Sequence, residues 1–159
     1  MAQRPTWDEY FMKMADMVGE RGTCDRGRSG CVIVIDKRVI VTGYVGSPSG
    51  QPHCDDAGHL MQEVTDENGN KSMHCVRTIH AEENAILQAA KFGTPLKNCV
   101  IYCKMTPCFK CARMIVGIGA SRVVAKKRYH ADKLSIELFK AAGVQFDVLE
   151  NEVEKYENQ

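Results

Sequence analysis

His80, Glu82, Cys108 and Cys111 are the residues of this chain whose types and spacing could do chemistry together, the first pair in His80-Ala81-Glu82 and the second in Pro107-Cys108-Phe109-Lys110-Cys111. One imidazole and two thiolates suit zinc, and three protein ligands leave its fourth tetrahedral position open to water, where a structural site would be closed by a fourth residue. A zinc held this way lowers the pKa of its water to ~7, so that hydroxide forms near neutral pH. Glu82 stays outside the ligand set and can carry protons. Taken alone, the cysteine pair would equally suit a redox dithiol or a structural zinc, His80 a core histidine and Glu82 a first-turn carboxylate. The combination is what points to hydrolysis.

The elements around these residues have to bring them together. Apolar residues at Tyr10, Phe11, Met14, Met17 and Val18 have the spacing of one helical face, which predicts a helix over Thr6–Glu20. The β-branched runs 31–35 and 39–42, joined by the polar turn Asp36-Lys37-Arg38, predict a hairpin. The stretch 43–50 then reads as a loop whose glycines let backbone approach a ligand. Residues 51–77 read as a long irregular insertion of the kind that is functional or clamped. A helix over 82–92, stopped by Gly93 and Pro95, precedes a buried strand over 99–103 and a second helix from Pro107 or Cys108 to about 117–119. Strand 122–125, helix 133–142 and strand 144–149 complete the pattern, and the charged tail 150–159 reads as peripheral. Strands alternating with helices after an opening hairpin imply a mixed sheet covered on both faces. His80 and Glu82 then start one helix while Cys108 and Cys111 share the first turn of another, where the positive dipole end favours thiolate.

Composition narrows the class. At 159 residues and 44% hydrophobic content, 1–159 is expected to form one domain. Lys and Arg total 21 against 20 Asp and Glu, and the basic residues are scattered apart from Lys126-Lys127-Arg128. That balance argues against a long nucleic acid as partner, although a single phosphate is compatible. No apolar run approaches the ~20 residues of a membrane span, and no signal-peptide core is visible, so a cytoplasmic protein is expected. In that compartment the eight cysteines suggest metal binding or catalysis more than disulfides. Cys31, Cys99 and Cys103 fall in apolar runs and read as small buried hydrophobes. Cys24, Cys54 and Cys75, with His59 or His74, remain as candidate ligands of a second, structural zinc that would tie down the insertion.

The H-x-E and P-C-x-x-C pair resembles the signature of zinc nucleobase deaminases. From about Thr6 to Val148 the chain further resembles the deoxycytidylate deaminase family, chiefly its bacterial and phage type. The resembling stretches are 7–12, 23–26, 42–48, 53–55, 74–82 and Tyr129-His130. The resemblance implies a three-layer α/β/α cytidine-deaminase-like fold with a mixed five-stranded sheet, conversion of dCMP to dUMP and ammonia for thymidylate synthesis, and a homo-hexamer. It also implies activation by dCTP and inhibition by dTTP, with Mg2+ accompanying the triphosphate, and some members have a second zinc near the chain start and in the insertion. Substrate positions implied are Arg26, Arg28, Tyr44, Val45, Ala81 and Tyr129, with Arg26 and Arg28 as candidates for the phosphate and Tyr129 for the base. Val45 departs from the family's Gly-Tyr-Asn-Gly loop and has no side-chain hydrogen-bonding group. The same metal and glutamate would also serve a tRNA adenosine deaminase or a cytosine or cytidine deaminase. A zinc-stabilised regulatory module without activity is the alternative from another class.

Overall fold

The computed structural model describes residues 3–65 and 69–154. Helix α1 (Trp7–Gly19) opens on a capping box, in which the Thr6 hydroxyl accepts from the Glu9 N–H and the Glu9 carboxylate accepts from the Thr6 N–H. Strands β1 (Gly30–Ile35) and β2 (Arg38–Tyr44) form the expected hairpin. Their turn places Asp36 and Lys37 at φ 49° and 59°, the paired left-handed geometry that matches strand twist. Next come α2 (Cys54–Ala57), β3 (Met61–Thr65), β4 (Lys71–Cys75), α3 (Ala81–Phe92), β5 (Val100–Met105), α4 (Phe109–Gly117), β6 (Arg122–Tyr129), α5 (Lys133–Ala142), β7 (Gln145–Val148) and β8 (Val153–Glu154).

The main sheet runs β2-β1-β5-β6-β7, with β8 added beside the end of β6. Its β1 pairings are antiparallel and its β5-β6-β7 pairings parallel, so the sheet is mixed. Alternation along the strands feeds two cores. Cys31, Ile33, Ile101, Cys103, Val123 and Ala125 pack under Ala85 and Ala89 of α3, Ile115 of α4 and Phe139 of α5. Val32, Val34, Tyr102 and Val124 pack on Phe11, Met12 and Ala15 of α1. The result is the three-layer α/β/α arrangement.

The structure corrects several sequence expectations. Tyr10 and Met17 of α1 are exposed, because the small residues Ala15 and Gly19 are the ones that let the helix backbone close on Gly30 of β1. The stretch from Gly43 is not yet loop, since β2 continues to Tyr44. The insertion is less irregular than expected: it holds α2 and a hairpin in which β3 pairs with β4, Met61 opposite Cys75 and Val64 opposite Ser72. Strand β3 is exposed along its length, so it carries no apolar alternation to betray it. The tail is docked in part, with Val153 and Glu154 beside Arg128 and Tyr129, while residues 155–159 lie outside the described residues. No helix among the described residues is long and apolar enough to cross a membrane.

Candidate active site

Two helix starts meet at one end of the sheet. His80 is the N-cap of α3 and Cys108 the N-cap of α4, and neither side chain caps its own helix. Both turn instead to each other. His80 Nδ1 lies 3.4 Å from Cys108 Sγ and 3.6 Å from Cys111 Sγ. Zinc bonds of ~2.3 Å to sulfur and ~2.0 Å to nitrogen give a tetrahedral edge of about 3.6 Å, so the donor set fits that ion. Among the described residues no fourth Cys, His or carboxylate joins the group.

The start of α3 is fixed from below and from the side. Gly43 lies under its first turns, where an added Cβ would collide with the Ala81 carbonyl oxygen and the Ala85 nitrogen. Ile79 pairs with Gly46 just before His80. Glu83 in the first turn of α3 receives Lys110 of α4 at 3.0 Å, a tie between the two helices. Glu82 is 8% exposed and faces the same cleft as His80.

The electrostatics suit a thiolate at Cys108, whereas the Cys108 hydrogen bond and burial raise the Cys111 thiol. A hydrogen bond from the Cys111 thiol, opposed by burial and aided by His80, holds Cys108 down to about 4. The hydrogen bond to Cys108 in turn raises His80 to about 9. Burial raises the Glu82 carboxyl above the usual carboxylate range, with His80 pulling the other way.

A second cluster lies where the chain start meets the insertion. Cys24, Cys54, His59 and Cys75 present ligand atoms all within 4.8 Å of one another. Cys24 Sγ is 3.8 Å from His59 Nδ1, and Cys54 Sγ is 3.6 Å from Cys75 Sγ. Asp25 sits 3.1 Å from His59 Nε2, as an orienting carboxylate does behind a ligating imidazole. Burial and the Cys75 contact push Cys54 up to about 12; for Cys75, burial is outweighed by the Arg77 backbone and Cys54 bonds, which bring it to about 7.

Between the clusters lies a cleft of about 550 Å³ whose walls include Arg26, Val45, His74, Thr106 and Tyr129. Residues 5–127 match the family described as the cytidine and deoxycytidylate deaminase zinc-binding region. This chain belongs to that deaminase family. ComE operon protein 2 of Bacillus subtilis is 41% identical over 148 residues, covering 93% of this chain and 74% of that one. The deoxycytidylate deaminase of Schizosaccharomyces pombe is 39% identical over 142 residues, which are 89% of this chain and 44% of the yeast protein. The chain thus spans less than half of that relative. The fold is similar to the crystal structure of a cyanophage S-TIM5 dCMP deaminase in complex with dCMP and dUMP, at a TM-score of 0.72 and 23% identity, with 92% of this chain and 99% of that one covered.

Within this deaminase chain the expected substrate positions divide. Arg26, Val45, Ala81 and Tyr129 line the cleft. Arg28 does not: it points to Asp55 at 3.4 Å, an exposed ion pair beside α2. Tyr44 is also outside the cleft walls and exposed. Val45 offers only an apolar wall, because its N–H donates to Ser29 O and its carbonyl accepts from Thr23 N. His74 is not in the second cluster. Alternation along β4 sets it apart from Cys75, its Nε2 lies 2.9 Å from Ser72 Oγ, and it lines the cleft instead. Thr106, Glu83 and Lys110 also line the cleft and were not anticipated from sequence, although Thr106 and Lys110 sit within or beside the cysteine motif.

Proposed function

We propose that this protein is a zinc-dependent deaminase that hydrolyses dCMP to dUMP and ammonia, supplying dUMP for thymidylate synthesis. The observation that carries this reading is the difference between the clusters: the one at the chain start offers four ligands, while the one in the cleft offers three beside a buried carboxyl group. Relatives bearing the name deoxycytidylate deaminase support the choice of substrate.

Held by His80, Cys108 and Cys111, zinc would supply the Lewis acidity that makes water nucleophilic near neutral pH. Glu82 takes the proton released as the water oxygen adds to C4 of the cytosine ring and delivers it to N3. It then carries the second water proton, from the new C4 hydroxyl, to the exocyclic amino nitrogen; as the C4–N bond breaks, C4 becomes the carbonyl carbon and the ring keeps the hydrogen already placed on N3. Ammonia and the uracil ring are the products. Val45 and Ala81 wall the base, Tyr129 lies against it, and Arg26 pairs with the 5′-phosphate.

Release of dUMP and ammonia from dCMP, with no product from a tRNA stem, is the expected outcome of a direct assay. Zinc-loaded protein inert towards dCMP would remove the reading. Arg26→Ala is expected to raise KM for dCMP by ~10 to 100-fold, the worth of a charge-assisted hydrogen bond. Unchanged dCMP affinity would take Arg26 out of the phosphate site.

The proposal extends to a structural zinc at Cys24, Cys54, His59 and Cys75. Two zinc ions per chain are then expected by metal analysis, falling to one in Cys75→Ser with faster amide exchange across β3 and β4. A single zinc, lost on Cys108→Ser, would end that part. The family resemblance extends the proposal further to a cytoplasmic homo-hexamer activated by dCTP with Mg2+ and inhibited by dTTP, which kinetics and sedimentation with each nucleotide test.

A further inference from the structure

Asp132 is 3% exposed, and it belongs neither to the walls of the cleft nor to either ligand cluster. It stands at the N-cap of α5 but makes no side-chain bond to that helix. Its carboxylate is turned to the ends of β5 and β6 instead. Oδ2 accepts from the Thr106 hydroxyl at 3.1 Å and from Arg128 Nε at 2.9 Å, while Oδ1 accepts from Arg128 Nη2 at 2.7 Å. The Thr106 oxygen in turn accepts from the Tyr129 N–H at 3.4 Å, and the Thr106 N–H donates to the Lys127 carbonyl. Beyond this knot, β8 pairs with Arg128 and Tyr129, and the Arg128 N–H donates to Glu152 O.

The chain of bonds links a buried carboxylate to two cleft residues it does not accompany there, Thr106 and Tyr129. Stripping water from the Asp132 carboxylate is costly, and its ion partner Arg128 is 44% exposed, so the pair is a weak source of stability. What such a pair does confer is a fixed direction, here to the strand end that presents Tyr129. Thr106 also stands two residues before the Cys108 N-cap of α4, so two functions are open to the knot: holding the metal side or holding the substrate side. The bonds run to Arg128 and Tyr129 on β6, and the route to Cys108 passes only along the backbone through Pro107. That favours the substrate side.

Resting on the dCMP reading, we propose that Asp132 is a positioning residue for the substrate: through the Thr106 hydroxyl and Arg128 it holds Tyr129 against the bound base. Asp132→Asn keeps an acceptor for Thr106 but loses the paired charge facing the guanidinium. It raises KM for dCMP about tenfold and leaves kcat within about twofold, the signature of lost substrate binding. Zinc content stays at the wild-type level.

The test is a double-mutant cycle of Asp132→Asn and Tyr129→Ala, read as KM and kcat for dCMP, with zinc content and thermal unfolding measured on each protein. If Asp132 acts through Tyr129, Asp132→Asn adds less than about twofold to KM once the ring is gone. A full tenfold rise on top of Tyr129→Ala, or an effect falling on kcat or zinc content, overturns the proposal. Should Asp132→Asn fail to fold, Thr106→Val removes only the hydroxyl link and enters the same cycle, with a smaller rise in KM that again vanishes beside Tyr129→Ala. Wild-type protein inert on dCMP would overturn the substrate reading itself. Active wild type with an additive cycle would overturn the positioning role alone.

Discussion

Glu82→Gln is expected to lower kcat for dCMP by ~10³-fold, within the range of a positioned proton carrier. Glutamine keeps the size and one acceptor but cannot take a proton. Glu82 is not one of the three grouped ligand residues, so zinc content should remain as in wild type. KM should change little, because the amide still fills the same buried place at the start of α3. Metal analysis beside steady-state kinetics separates this from damage to the site. Near-normal turnover would remove Glu82 from the proton path, and simultaneous loss of zinc would show a role in holding the metal.

Gly43→Ala is the second large effect, and it acts through packing. The Cβ of an alanine there would meet the Ala81 carbonyl oxygen and the Ala85 nitrogen and lie 2.9 Å from Ala85 Cα. These are backbone atoms of a helix already pressed on the sheet, so no flexible side chain can give way. Lifting α3 opens the core between it and β2, at a cost of about 3 kcal/mol. Such a loss lowers Tm by roughly 6 to 12 °C for a chain of this size. His80 and Glu82 move with the helix, so zinc affinity and kcat should fall as well. Gly50→Ala is the control, having open space around it but a φ of 82°, and should cost only the ~1–2 kcal/mol of the left-handed conformation. A Gly43→Ala protein as stable and as active as wild type would refute this account of the helix seat.

The gathering of His80, Glu82, Cys108 and Cys111 at one cleft was legible because each of these residues carries its own local signal. His80 and Glu82 open a helix with alanines at Ala81, Ala85 and Ala89, and Cys108 and Cys111 are spaced as one turn. The hairpin of β1 and β2 and the helices of the core announced themselves through period and breakers, and the layer order followed. Other features depend on partners distant in sequence. Nothing near Arg28 in the chain indicates that Asp55 will engage it, and nothing near Tyr44 that Asn84 will take its carbonyl. His74 and Cys75 are neighbours of equal promise as ligands, and only the strand geometry of β4 separates them. Gly43 looked like a loop residue because a glycine next to a β-branched run reads the same whether a ligand or a helix comes close. The β3-β4 hairpin, with few buried side chains, left no apolar pattern to read. The buried Asp132 has its partners just after β5 and in β6, and a lone aspartate before a helix suggests only a cap.

Among the described residues, the β3-β4 hairpin pairs with no strand of the main sheet. Extra or missing residues between its two arms would therefore leave the register of every core strand unaltered. Such changes in length would spare the main sheet, while β4 itself brings His74 and Cys75 to the wall of the cleft.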